Sequence, residues 1–498
     1  MKIYSCLTKC LQVICAIIIG VVFVLNFTYN VTICYNISEV VKIENHIFKS
    51  ILLLVVIALT LFILSFFKNR IERIKPKHLF FVFSVAYILM GIYLLFNVDH
   101  GIRYDPNSVA KAAKQLLSGN MSSFEKGGYI YQYPHQIGLT LYDALLFIFC
   151  KYNVMIFIAN LAFVLGINYM IFKISDLLFE NQLTNNISII LAFTFLPQFF
   201  FILFAYGTIP GLFFLLFAIY HTIRFSKTHK NINIILAVVG GCVTVLLRKN
   251  FLIGVLAITI FICLEMLKKF NFKQLVLIIC IFISLLLPLK ILPGIFVGNG
   301  IGAPSVLWIA MGTDIDNTSR APGWYDGSSK EIFNSSDYNA EISAEKGKAK
   351  LINNIEKIKK HPIKTCKFFA EKTISQWCDP LYQSIWSGPL EDCGQDTKTP
   401  LLKSLYNGGA AENVLAFGMK FYMIIFFGFS LVFIIKHYKE YNGWQLLFMI
   451  FIGGFLFHII WEAKSQYVYP YFFPLMPLTA FSLSKALERI KCINRKSK

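Results

Sequence analysis

Apolar residues arrive along this chain in unbroken blocks of about twenty, separated by short polar runs. About twenty apolar residues in a helix cross a hydrocarbon core. Continuous blocks favour helices over the alternating strands of a membrane barrel. The predicted spans are Leu11–Tyr29, Ile47–Phe67, Leu79–Asn97, one crossing within Ile137–Phe172, Ile187–Phe204, Tyr206–Ile223, Ile232–Leu247, Phe251–Leu267, Gln274–Leu292, Phe417–Ile435, Trp444–Ile460 and Tyr467–Ser484. Ile137–Cys150 is short for an ordinary span and is expected to lie in the interface or re-enter. The expectation is an all-α polytopic membrane protein of about 12 transmembrane helices. The first block lacks a small-residue cleavage site and is followed by Asn, Thr and Tyr, so it reads as a retained span.

Composition agrees: of 498 residues, 56% are hydrophobic and 15% charged, too apolar for a soluble domain. The net charge of +20 changes the picture only through its location. Basic residues fill short loops at Lys68–Lys77, Arg224–Lys230, Lys268–Lys273 and Lys436–Lys439, and the tail from Lys485 to Lys498. Such loops stay cytoplasmic and attract anionic lipid headgroups, so membrane lipids are the expected partners and nucleic acid is not. Both termini then lie inside, while Asp99, Asp105, Tyr206, Arg248 and Glu462 lie outside. The chain divides into an N-terminal transmembrane module (1–293) with an outer loop at 98–136, a large mixed extracytoplasmic loop domain (294–416), and C-terminal helices with a basic tail (417–498). The loop domain holds 14 of the 27 acidic residues and 13 Lys or Arg, a balance unlike that of the inner loops.

Four polar patches carry candidate chemistry. In the first outer loop, Tyr104-Asp105-Pro106 precedes a helix predicted to begin at Asn107 or Ser108 and to end at Ser118-Gly119. Tyr133-Pro134-His135-Gln136 then runs back toward the membrane, with tyrosines suited to the headgroup layer. In the long loop, helices are expected over Ala344–His361 and Ile363–Trp377, and Trp324, Trp377 and Trp386 are available for core packing, headgroup anchoring or sugar stacking. Arg248-Lys249 places two cations on the outer side, against the positive-inside trend, where acidic neighbours or a ligand phosphate would balance them. Glu462 and Lys464, before Tyr467 and a Pro-rich last span, are ionisable groups at the membrane boundary, a position that marks functional candidates. Of the twelve cysteines, Cys366, Cys378 and Cys393 fall in the long loop, where a Cys378–Cys393 disulfide is one pairing.

No phosphate-binding Gly loop, dinucleotide motif or zinc-ligand cluster is present, so a reaction would draw on a donor reachable from outside. The order of motifs resembles the GT-C superfamily of membrane glycosyltransferases, the protein O-mannosyltransferase and aminoarabinose-transferase type. It is most similar to the Gram-positive branch that decorates cell-wall polysaccharides and teichoic acids. The resemblance rests on Asp105 with Ala112, Ala113 and Gly119; Tyr133 to Gly138; the Tyr206-Gly207 turn; Arg248-x-Asn250; Trp308 to Gly312 with Gly323-Trp324-Tyr325; and Glu462-x-Lys464-x-x-Tyr467. It departs where Pro106 replaces an acid, Thr208 stands near the Tyr-Gly turn, and Lys464 replaces an Arg. These departures leave open whether a divalent metal takes part.

The resemblance implies a polyprenyl-phosphate sugar as donor and an extracytoplasmic glycan as acceptor, joined with inversion. Asp105 or Asp99 would be the base. Arg248, Lys249, Glu462, Lys464, Tyr467, Tyr133, His135, Gln136 and Tyr206 would bind substrate. A polysaccharide polymerase or ligase, and a lipid-linked-sugar transporter or flippase, are the competing classes. The topology is directly testable. In whole cells, cysteines introduced at Trp324 or Trp386 in a cysteine-free background should react with an impermeant maleimide, and those at Lys75 or Lys491 should not. Labelling at Lys75 would overturn the map.

Overall fold

A computed structural model describes residues 2–35, 39–298, 300–317, 320–438, 440 and 442–496. Lys439 and Lys498, two of the basic-loop residues, lie outside the described residues. The protein is an all-α, multi-pass membrane protein: eight of its described helices are long and apolar enough to cross a bilayer, or nine if one bent pair counts as a span. These are Ile3–Thr28, Ile47–Arg73, Pro76–Asn97, Val154–Phe179, Thr208–Thr228, Lys249–Lys268, Phe272–Phe296 and Ala410–Lys436, with Gln182–Thr194 and Pro197–Leu203 as the pair bent by 51°. Asn231–Leu247 and Gln445–Ile460 are apolar but shorter.

The bend has a local cause. Pro197 cannot donate a helical hydrogen bond, so the helix stops at Thr194 and restarts one residue past Leu196. The break turns Phe195 into the core, where it is fully buried and stacks on Phe472 with ring centroids 4.6 Å apart. Phe472 belongs to the other irregular stretch, a 3-10 run Tyr469–Leu475 carrying Pro470 and Pro474, which precedes the helix Met476–Lys496. The two proline-interrupted segments therefore meet, and aromatic stacking fills the volume their missing turns open.

Three sequence expectations are corrected here. The helix expected from Asn107 or Ser108 begins at Tyr104, because Pro106 is tolerated in a first turn; Asp105 thus sits in that turn, where a carboxylate suits the helix dipole. The long loop is helical rather than mixed: among the described residues between 300 and 409 no strand forms, beyond an isolated bridge of Thr397 with Val98. Its main helices run Ala340–Lys360, capped by the Asn339 side chain, and Pro362–Trp377. Strand pairing appears instead at an unforeseen place, an antiparallel hairpin of Tyr29–Tyr35 with Glu39–Asn45 between the first two spans. Cys378 is buried and Cys393 exposed, and both are free thiols, so the disulfide does not form.

Backbone hydrogen bonds gather these polar segments at one end of the bundle. Asp99 pairs with Asp396, Ala303 with Gln132, Val31 with Cys378 and Ala463 with Gly323. The helix Tyr104–Leu117 buries a small-residue face, Val109, Ala110, Ala112 and Ala113, against Ile137–Phe149, a helix of 13 residues that is too short to span. Trp324 is fully buried, with Nε1 donating to Ser375 Oγ at 3.0 Å, so it is a packing residue and a poor labelling position; Glu345 and Lys367 are exposed alternatives in the same segment.

The joint of this assembly is Lys372, on helix Pro362–Trp377 and 1% exposed. Its ammonium donates to the carbonyls of Gly312 (2.5 Å), Ile459 (2.8 Å) and Trp461 (2.6 Å). Those carbonyls end two helices and begin the segment bearing Glu462 and Lys464, and would otherwise be orphaned. Burial drives the Lys372 pKa down to about 7, although Glu462 pulls it the other way. Lys372→Met keeps the stem and leaves three acceptors unpaired. At about 1–3 kcal/mol for each unsatisfied group, thermal denaturation in detergent should show a loss of several degrees or more. An unchanged Tm would show that Lys372 is not the joint.

Candidate functional site

Asp105 and Glu462 lie near enough for the charge of one to act on the other, and the region they share is here termed the cleft. Solvent reaches the Asp105 surface although protein surrounds the carboxylate, which is the signature of a group lining a concavity. Burial raises its pKa, while Lys464, Lys330, a hydrogen bond from Tyr129 and Arg248 work against the rise. Tyr129 Oη lies 3.3 Å from Tyr206 Oη, which also accepts from Gln136 Nε2 at 2.8 Å. A hydrogen-bonded row of Asp105, Tyr129, Tyr206 and Gln136 thus lines the cleft.

The turn Tyr206-Gly207 is possible because Gly207 adopts φ +71°, and a Cβ there would collide with the Leu247 carbonyl. That close approach brings the end of helix Asn231–Leu247 beside Tyr206. Arg248, the residue that ends it, donates to the Tyr206 carbonyl at 2.8 Å and sits 4.8 Å from the Tyr206 ring and 5.8 Å from that of Tyr467. Among the described residues no carboxylate forms an ion pair with Arg248, and its charge acts on Asp105 only from beyond ion-pair distance. The guanidinium is held by aromatic faces and a carbonyl, which orient it without neutralising it.

Glu462 is 6% exposed and accepts from Tyr467 Oη at 3.4 Å. Burial lifts its pKa to about 7; Lys464 opposes this, and Asp105 and Glu39 add to it. Lys464 is itself occupied. Its ammonium is 3.0 Å from Glu39, a hairpin residue 3% exposed, whose carboxylate also meets Arg320 at 3.1 Å and Gln383 at 3.1 Å. Tyr133 and Tyr325 border both carboxylates, and each has its hydroxyl pKa raised by burial, Tyr325 to about 12.

Of the residues singled out from sequence, the structure brings together Asp105, Tyr133, Gln136, Tyr206, Arg248, Glu462, Lys464 and Tyr467. Half-buried His135 lies beside Arg248 and Lys249, and its desolvation with those two cations drops its pKa to about 3, so it is neutral at physiological pH. Lys249 is exposed in the turn Lys249–Phe251. Asp99 is exposed and its carboxylate accepts from the Gly101 amide at 3.0 Å, a turn-closing role. Among the described residues no group of three or more His, Cys, Asp and Glu could hold a metal ion. A cavity of about 730 Å³ lies elsewhere, between the hairpin and the start of Ala410–Lys436, and includes neither carboxylate of the cleft.

Sequence reading missed Glu39, Arg320, Lys330 and Tyr129 as members of the cleft, and quoted Tyr325 only as part of Gly323-Trp324-Tyr325. Tyr129 adjoins a quoted motif, but Glu39 has no local pattern: only the hairpin pairing delivers it to Lys464. No protein-family model matches the chain, and no curated protein does.

The pKa of Glu462 makes a prediction with a definite sign. Its folded value of about 7 lies above the ordinary carboxyl value of about 4.3, so the folded state binds the proton more tightly. This contribution is fully present below the unfolded pKa and is lost as pH rises through about 7. Glu462→Gln, which mimics the protonated form, should therefore gain stability relative to wild type across that window, by on the order of 1–3 kcal/mol. Tm measured against pH for both proteins tests this, and a pH-independent difference would refute it.

Proposed function

We propose that the protein is a membrane glycosyltransferase that moves a sugar from a polyprenyl-phosphate donor to an extracytoplasmic glycan. The observation that carries the reading is the convergence on one cleft of Asp105, Glu462, Arg248 and Lys464, from three separated parts of the chain. The reading agrees with the resemblance of the same motifs to the GT-C superfamily. The bent pair, the two shorter apolar helices and the last helix, added to the eight long ones, would bring the crossings to about twelve. The cleft and the long loop then lie outside, and both termini lie inside.

In this mechanism Asp105 takes the proton from an acceptor hydroxyl. The freed oxygen bonds to the anomeric carbon from the face opposite the phosphate, and the bond from carbon to phosphate oxygen breaks with its electron pair. A base with a raised pKa shares that proton better than an ordinary carboxylate. Arg248 is the cation best suited to the growing phosphate charge, since no carboxylate neutralises it. Lys464 would contribute only to the extent that Glu39 releases it. Glu462 near neutrality can stand protonated beside Asp105, which keeps two acids from repelling each other.

Transfer from a radiolabelled polyprenyl-phosphate sugar into cell-wall material tests the reading. Asp105→Asn should lower transfer by about a hundredfold or more, while Asp99→Asn should have little effect. Normal transfer by Asp105→Asn, with loss in Asp99→Asn, would move the base to Asp99. Absence of any transfer in wild-type membranes that accumulate a labelled donor would favour a transporter.

A further inference from the structure

The residue before Asp105 is built in an unusual way. Tyr104 has φ +53°, a left-handed conformation that a bulky side chain adopts only when its surroundings enforce it. The surroundings here are specific. Its ring stacks on Trp386 with centroids 5.4 Å apart and planes 6° from parallel, and its hydroxyl bonds to the Cys393 thiol. The Arg103 guanidinium lies 5.8 Å from the Tyr104 ring and 5.4 Å from that of Trp386, and donates to the carbonyls of Trp386 and, at 2.8 Å, Gly388. Lys464 stands 5.4 Å from the Trp386 ring.

All this anchoring leaves the ring outward. Tyr104 is 53% exposed, with Trp386 covering one side. A ring placed for packing would be buried. Arg103 and Asp105 flank this one in sequence. A flat, rigid, half-exposed aromatic beside a carboxylate of raised pKa matches the C–H face of a sugar whose hydroxyl is to lose a proton.

We propose that the open face of Tyr104, backed by Trp386, is a stacking platform for a pyranose ring of the acceptor glycan, which presents one of its hydroxyls to Asp105. This rests on the transferase reading and adds to it the acceptor subsite. Specificity at the platform would come from the sugar face, with Asp105 selecting the hydroxyl.

Binding is measured on the full-length protein in detergent, titrated with soluble tetrasaccharides ending in glucose, galactose or N-acetylglucosamine. Wild type should bind at least one. Tyr104→Phe, which keeps the ring, should bind within a few-fold of wild type. Tyr104→Ala should weaken binding by about tenfold, and the wild-type-like binding of Tyr104→Phe ties that loss to the ring. Equal binding by Tyr104→Ala, or no wild-type binding, would overturn the platform. So would a loss of lipid-vesicle association in place of glycan binding. Donor turnover by the same preparations separates that failure from failure of the transferase reading: if it persists, only the subsite is wrong.

Discussion

One buried ammonium, that of Lys372, decides where the cleft can be. The Glu462–Lys464 segment follows a helix whose last carbonyls point into protein rather than water, and a chain leaving a helix there has no regular partner for them. Lys372 supplies it, and through Gly312 it ties the same point to the helix Val306–Gly312. Gly323 packs its backbone against the Lys372 stem and pairs with Ala463, so a third segment is fixed by the same residue. The side chains of Glu462, Tyr325 and Lys464 inherit their positions from this joint. A cation here costs desolvation, and its lowered pKa is the measure of that cost.

The charges of the cleft are arranged unevenly, and the unevenness is physical. Glu39 engages two cations, Lys464 and Arg320, in a nearly dry setting where breaking a pair leaves a poorly solvated charge. Arg248 receives no such partner. Aromatic faces hold a guanidinium in place by its quadrupole attraction while leaving its full charge for an anion. The hairpin, far from the cleft in sequence, therefore determines which cation is available.

Much of the fold is legible in the sequence because apolar block length speaks directly to membrane thickness; the long spans need no tertiary information. The site was legible in part for the same reason. Arg248 stands out because it runs against the positive-inside trend, and Glu462 and Lys464 because they are ionisable groups at the membrane boundary. Tyr104 hid behind a plausible Asp-Pro turn, since helix starts are set by capping and packing that a local pattern does not contain. Glu39 and Lys372 were invisible: each is an ordinary charged residue in a polar segment, and its role comes from a partner hundreds or tens of residues away. The pairing of Cys378 with Cys393 stays open in the sequence because spacing says nothing of burial; in the fold Cys378 is buried while Cys393 is exposed, and both are free.

Two carboxylates in one cleft raise the question of why both remain. If both were ionised they would repel, and the cations nearest them are already engaged or held back by aromatic rings. Burial resolves this by separating their environments. Glu462 lies almost wholly out of solvent and so favours its proton near neutrality, whereas Asp105 is reached by solvent and has four cationic or hydrogen-bonding groups opposing its rise. A protonated Glu462 places no second negative charge beside Asp105, and the cations around Asp105 favour its ionised form. Under the proposed transferase reading the carboxylate nearer solvent would meet an incoming hydroxyl, while the deeper one holds Tyr467 and, through it, the aromatic wall around Arg248.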